Sequence, residues 1–255
     1  MNRIDQLFAS KQTGILNIYC TAGFPALEDT LPVMTALQAH GADMIELGMP
    51  FSDPLADGPV IQDSSTRALQ NGMSLKKLFA QLKDFRKNIH VPVILMGYLN
   101  PVMQFGIEQF LQQCAATGVD GLILPDLPMQ EYEQEYRPLF EKYGLHLIFL
   151  VTPETSEARI RQIDALSKGF VYAVSSSSTT GKDKDMKGQQ AYFERLKALQ
   201  LKNPVLIGFG IKDKPTFDAA CAYSNGAIIG TAFIKAVETA KDLDGTIKQF
   251  IQSVK

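Results

Sequence analysis

Leu31-Pro-Val-Met34-Thr-Ala-Leu37-Gln38-Ala-His40-Gly41-Ala-Asp43-Met44-Ile-Glu46-Leu47 contains a helix, a stop and a strand in succession. Leu31, Met34, Leu37 and Gln38 recur at the spacing of one helix face. Gly41 ends the helix, because glycine takes the left-handed backbone of a helix terminus without steric cost. Residues 44–47 then form an apolar strand interrupted only by Glu46. The same helix, glycine, strand order recurs along the chain. Phe110, Leu111 and Cys114 lead to Gly118; Leu139 and Phe140 lead to Gly144; Ile160, Ile163 and Leu166 lead to Gly169. Leu75, Leu78, Phe79 and Leu82 follow an Asn71-Gly72 turn and a Ser74 cap.

Strands are expected at 15–20, 44–47, 93–96, 121–124, 146–151, 170–174, 205–207 and 227–229. Most are continuously apolar rather than alternating, which is how a parallel strand reads when both of its faces are covered. Eight strands, with a helix after nearly every one, in 255 residues match the arithmetic of a (β/α)₈ TIM barrel. The rival, a doubly wound sheet, wants a glycine-rich fingerprint after an early strand, and Ala22-Gly-Phe-Pro25 has a single glycine. No linker or shift in composition divides the chain. The expectation is an α/β fold, one TIM-barrel domain over 1–255, with a short N-terminal helix at 3–9 closing its bottom.

A content of 45% hydrophobic and 20% charged residues excludes disorder, collagen and coiled coil. With 25 basic against 27 acidic residues, no basic field points to nucleic acid or anionic lipid. His40, His90 and His146 are scattered, so no histidine-built metal site is expected. Cys20, Cys114 and Cys221 are far apart and odd in number, as free thiols in a reducing compartment are. The N-terminal residues lack a signal-peptide core, and the longest apolar run, 147–151, is too short to span a bilayer. A soluble cytoplasmic protein is expected.

In a barrel, chemistry belongs at the carboxyl ends of the strands. An ionised carboxylate within an apolar strand is costly unless paired or used. Glu46 is therefore either bonded to a neighbouring strand or an arginine, or it is a proton-transfer group whose pKa burial has raised. Asp53 and Asp57 sit in Asp-Pro and Asp-Gly contexts that on their own read as turns. The stretch from Ser175 to Gly188 is rich in hydroxyls, glycine and charge, the composition of a surface tail or of a binding loop. Gly208-Phe-Gly210-Ile and Gly230-Thr231 follow the last two strands, where barrels commonly bind phosphate through backbone N–H groups. Lys212 points to solvent and no lysine lies within an expected strand, so a Schiff-base aldolase fits poorly. Acid–base chemistry by carboxylates on a small phosphorylated molecule remains.

Glu46-Leu-Gly-Met-Pro-Phe-Ser-Asp-Pro-Leu-Ala-Asp-Gly-Pro59, with Ile61-Gln62 after it, resembles the most distinctive motif of the tryptophan synthase alpha subunits. Thr21-Ala-Gly-Phe-Pro25, Met96-Gly-Tyr-Leu-Asn-Pro101, Pro125-Asp-Leu-Pro128, Gly208-Phe-Gly-Ile211 and Gly230-Thr231 carry the resemblance along nearly the whole chain. It implies a retro-aldol lyase that cleaves indole-3-glycerol phosphate to indole and glyceraldehyde 3-phosphate. By that likeness Glu46 is the general acid and base, Asp57 accepts a hydrogen bond from the indole N–H, and Tyr172 assists. Tyr19, Met96, Tyr98, Ile123 and Phe209 correspond to the indole pocket; Gly181, Gly210, Gly230 and Thr231 correspond to the phosphate site.

The resemblance further implies no metal or organic cofactor in this chain. It implies a partner, a beta subunit carrying pyridoxal phosphate, in an assembly of two alpha with two beta subunits. Asp53, Pro54, Asn100, Asp126 and Pro128 would face that partner, and closure of residues 175–189 over the substrate would couple the two sites. Ser178 stands where the family usually has glycine, Thr231 where serine is common, and Phe24 where an acidic residue is frequent. A free-standing lyase and a non-catalytic barrel that only activates its partner are the alternatives; retention of Glu46, Asp57 and Tyr172 together argues against the second.

Overall fold

The computed structural model describes residues 1–174, 186–208 and 210–255. Among these, all strands lie in one parallel sheet. They are β1 (Ile15–Thr21), β2 (Met44–Gly48), β3 (Val93–Met96), β4 (Gly121–Ile123), β5 (His146–Leu147), β6 (Leu150–Val151), β7 (Val171–Val174), β8 (Val205–Gly208) and β9 (Gly226–Ile229). The expected strands are all present, within a residue or so at each end.

One of them is divided. The 146–151 run appears as β5, which pairs with β4, and β6, which pairs with β7. Between the halves the ladder changes partner: Ile148 N–H donates to Leu122 C=O at 3.0 Å, and Tyr172 N–H donates to Phe149 C=O at 3.0 Å. The two ends of the sheet order are thus successive parts of one chain segment. The sheet closes on itself as a TIM barrel, which leaves no exposed strand edge.

Alternation along the strands sorts the side chains into two cores. Ile15, Met44, Ile94, Ile123, Ile148, Phe170, Leu206 and Ile228 fill the barrel interior as one buried cluster. Leu16, Ile18, Ile45, Leu47, Val93, Leu95 and Leu122 point outward into a second cluster shared with the helices. Both faces are apolar, which is why the strands read as unbroken apolar runs.

The helix Arg3–Ser10 closes the bottom. Asn2 caps it by accepting from Ile4 N–H at 2.9 Å. Ile4 and Phe8, one turn apart on the same face, are buried in the interior cluster, with the Phe8 ring 6.0 Å from that of Phe170. Asp120 fastens this plug. Its buried carboxylate accepts from Arg3 at 3.0 Å, from Val93 N–H at 2.8 Å and from Arg86. With its lower half packed and its floor sealed, the barrel leaves its chemistry to the carboxyl ends of the strands. Cys20, Cys114 and Cys221 are free thiols, the first two buried. Among the described residues no helix is long and apolar enough to cross a membrane.

Candidate active site

β2 aims Glu46 inward, in register with Tyr19 of β1. The side chain is 1% exposed. It accepts a hydrogen bond from the amide of Asn17, whose Nδ2 donates to Oε2 at 3.2 Å. Burial pushes the carboxyl up to about 8; the nearby charge of Asp57 adds to the rise and the Asn17 hydrogen bond opposes it. Near neutrality Glu46 is therefore an acid able to release and recover a proton. Of the bonded alternatives left open by the sequence, the neighbouring-strand contact is present through Asn17 of β1, and no arginine is among its described partners.

Asp57 reaches the same space from the loop after β2. That loop is folded by its own backbone, with Leu55 N–H donating to Asp53 C=O at 2.9 Å and Asp57 N–H to Pro54 C=O at 3.0 Å. Tyr98, just beyond β3, pins it from the side: its hydroxyl accepts from Ala56 N–H at 3.0 Å and is a hydrogen-bond partner of the Asp57 carboxyl. Burial raises Asp57 to about 6, against the lowering effect of that Tyr98 bond. The two acids are thus separated in strength, with Asp57 ionised and Glu46 protonated between them. Divergent carboxyl environments of this kind are how one site holds an acid and an anion at the same pH.

Tyr19 and Tyr172 flank the pair from β1 and β7, and each needs a missing side chain on the next strand. A Cβ on Gly48 of β2 would lie 2.1 Å from the Tyr19 hydroxyl; one on Gly208 of β8 would lie 2.4 Å from that of Tyr172. The two glycines are slots that let the rings lie across neighbouring strands. Burial first, then the charges of Asp57 and Glu46, holds both phenols well above their ordinary pKa. They remain protonated donors. Thr21 Oγ1 reaches the Tyr19 hydroxyl at 3.4 Å and is itself paired with Ser64 at 2.7 Å.

Ile123 is buried in the barrel interior, Met96 is half-buried against the same cluster, and Tyr98 is buried with its ring 5.4 Å from Phe51. Phe209 and Gly181, together with residues 175–185 of the expected closing loop, lie outside the described residues. Gly210 is exposed at the top of β8. Gly230 precedes the helix Thr231–Val237 at the top of β9, with Thr231 exposed in its first turn. Its backbone runs beside Tyr19.

Of the residues expected to face a partner, Asp53, Asn100, Asp126 and Pro128 are exposed and Pro54 is buried. Asp126 also has an internal task, since both carboxylate oxygens accept from Leu99 N–H, at 2.9 and 3.0 Å. The exposed apolar side chains beside these residues are Leu55, 88% exposed, and Met103, 55% exposed. Neither was singled out in the sequence, although a leucine between Pro54 and Ala56 in a polar turn has no core to enter. Asn17 was missed for the opposite reason, hidden within an apolar run.

The family model described as "Tryptophan synthase alpha chain" matches residues 6–255. The chain is 51% identical over 256 residues to the tryptophan synthase alpha chain of Parabacteroides distasonis, covering 100% of both. It is 50% identical over 256 residues, again covering 100% of both, to that of Bacteroides thetaiotaomicron. Among solved structures it is similar to tryptophan synthase subunit alpha from Legionella pneumophila, with a TM-score of 0.90 at 36% identity, over 100% of this chain and 97% of that one. It is similar also to an aminoacrylate-bound form of tryptophan synthase from M. tuberculosis, with a TM-score of 0.86 at 29% identity over 100% of both chains.

Proposed function

This chain belongs to the tryptophan synthase alpha chain family, lyases that cleave indole-3-glycerol phosphate in tryptophan biosynthesis, and from that premise we propose how its site divides the chemistry. Glu46 gives its proton to C3 of the indole ring. The ring becomes an electron sink, and the bond between C3 and the glycerol carbon can then break with its electron pair returning to the ring. The ionised Glu46 takes the proton of the adjacent glycerol hydroxyl as the aldehyde forms. The proton count balances, and Glu46 ends as the acid it began as. Asp57, held as an anion, accepts from the indole N–H and stabilises the positive charge that develops there. Tyr172 lines the same space as a protonated donor.

Tyr19, Met96, Tyr98, Ile123 and Phe209 enclose the indole. Gly181, Gly210, Gly230 and Thr231 hold the phosphate, where backbone N–H groups and the start of a helix favour an anion. The products are indole and glyceraldehyde 3-phosphate, and residues 1–255 act as one domain. The alpha chains of this family carry no cofactor. The observation that carries the reading is the buried Glu46 at the carboxyl end of β2, poised as an acid beside an ionised Asp57.

The test is the pH profile of indole release. Asp57 must be ionised and Glu46 protonated at the start of the reaction. The rate should fall below a limb near 6 and above a limb near 8. A rate flat across both limbs would remove the pair from the chemistry.

The partner is a beta subunit that carries pyridoxal phosphate and consumes the indole, in a cytoplasmic assembly of two alpha with two beta subunits. Asp53, Asn100, Asp126 and Pro128 form the exposed framework of the docking face, with Pro54 buried beneath it. Leu55 and Met103 supply its apolar contact, since an exposed leucine gains most when a partner desolvates it. Leu55→Asp should weaken association with the beta subunit by about tenfold or more, read by titration calorimetry. The isolated subunit's own basal lyase rate should change little. Unchanged affinity would take Leu55 out of the interface.

A further inference from the structure

Asn17 occupies the centre of the barrel, fully buried, one inward step below Tyr19 on β1 and beside Met44 of β2. A polar amide there, between the apolar floor and the acid above it, is costly unless it is bonded. Half of it is: Nδ2 donates to Glu46 Oε2 at 3.2 Å. The other half, Oδ1, is buried and has no hydrogen-bond partner among the described residues. An acceptor left in this condition calls for a donor.

The carboxyl of Glu46 can supply it. A carboxylic acid and a primary amide are two-point complements: the amide N–H donates to one acid oxygen and the acid O–H donates to the amide oxygen. With Oε2 already accepting from Nδ2, a proton on Oε1 is offered on the side of Oδ1. When Glu46 ionises that O–H is gone and the Nδ2 donation remains, now to a charged acceptor. We propose that Asn17 is a positioning residue that holds the Glu46 carboxyl by both amide groups when it is protonated and by the N–H alone when it is ionised. The inference deepens, and rests on, the reading of Glu46 as the acid.

The two contacts oppose one another in their effect on acidity. A hydrogen bond to an ionised acceptor is about twice as strong as one between neutral groups. Ionisation therefore gains at Nδ2 roughly what it loses at Oδ1 on that scale, and the net lowering that Asn17 exerts on Glu46 against burial sets the sign. Among the described residues, the other group acting on this carboxyl is Asp57 from the loop after β2, which raises it. The Glu46 charge in turn raises the phenols of Tyr19 on β1 and Tyr172 on β7 and the Cys20 thiol on β1. Asn17 is the member of this set that lowers its pKa.

Asn17→Leu keeps the branching at Cγ, with bulkier ends, and suits the apolar neighbours; Asn17→Ser keeps a group that can both donate and accept. In Asn17→Leu the alkaline limb of the rate profile should move to higher pH. At the optimum kcat should fall about tenfold with KM nearly unchanged, because an untethered carboxyl loses orientation rather than substrate affinity. Asn17→Ser should recover part of both effects. A purely structural asparagine would alter the melting temperature and leave the limb where it was.

Infrared difference spectra of protein labelled with ¹³C-glutamate, compared with those of Glu46→Gln to assign the band, read the contact without catalysis. The acid carbonyl band of Glu46 should move to higher wavenumber in Asn17→Leu. A band and a limb both unmoved in folded Asn17→Leu and Asn17→Ser overturn the proposal. A band that moves while the limb stays fixed upholds the contact and overturns the assignment of Glu46 as the acid instead.

Discussion

Glu46→Gln is expected to lower the rate of indole release by about 10³-fold while binding of a substrate analogue stays within a few-fold of the wild type. Glutamine has nearly the same volume, and its carbonyl oxygen can still accept from Asn17. What it loses is the exchangeable proton. Single-turnover measurement of indole release isolates that loss from product departure, and release at the wild-type rate would sink the role given to Glu46.

The same substitution has an opposite effect on stability, and its sign follows from linkage. Glu46 in the folded chain lies near 8, above the ordinary carboxylate value of 4.5. Between those values the folded state holds a proton that the unfolded state has released. The wild type therefore keeps its full stability below about 4.5 and loses stability as the pH rises toward 8. Glutamine does not titrate. Glu46→Gln should melt progressively higher relative to the wild type as the pH climbs through that window, with the difference levelling off above it. A constant difference from acid to alkaline pH would mean that Glu46 is not held as a buried acid. An inactive variant that is also the more stable protein at pH 8 is the signature of a group retained for chemistry at a cost in folding.

What the sequence discloses and what it conceals divide along physical lines. The barrel was legible because every helix, glycine and strand repeat is a local pattern, and because burial on both faces leaves its mark in each strand's composition. Glu46 was legible for the same reason, as an ionisable side chain where only apolar ones are free of cost. The division of the 146–151 strand was not, since a change of hydrogen-bond partner between Ile148 and Phe149 is made by backbone atoms that every residue has.

Gly48 and Gly208 read as the punctuation that follows a strand. Their task as slots for Tyr19 and Tyr172 depends on the ring one strand away. Asp57 read as a turn until the surrounding motif supplied its context; the carboxyl becomes distinctive only where Tyr98 and burial act on it. Pro54 and Leu55 show how fine the local ambiguity is. Of two adjacent apolar residues in one loop, the first folds inward and the second stands out in solvent.

Asp57→Asn is the second large effect, an expected loss of about 10²- to 10³-fold in kcat, the size of removing one preorganised charge partner from a developing ion. Asparagine can still accept from Tyr98, so the loop should keep its shape. Its neutral carbonyl can accept from the indole N–H without offsetting the positive charge that protonation at C3 creates. Ground-state binding should therefore change far less than turnover. Removing the negative charge also relieves its pressure on Glu46, which should ionise more readily, so the alkaline limb of the rate profile should move to lower pH.

The two consequences have one cause and must appear together. A substrate methylated at the indole nitrogen provides the decisive comparison. Its methyl group removes the hydrogen bond and holds the Asp57 carboxylate away from the developing charge, so the gap in turnover between wild type and Asp57→Asn should narrow sharply. A gap of undiminished size on that substrate would show that Asp57 acts by shaping the loop and not by facing the indole nitrogen.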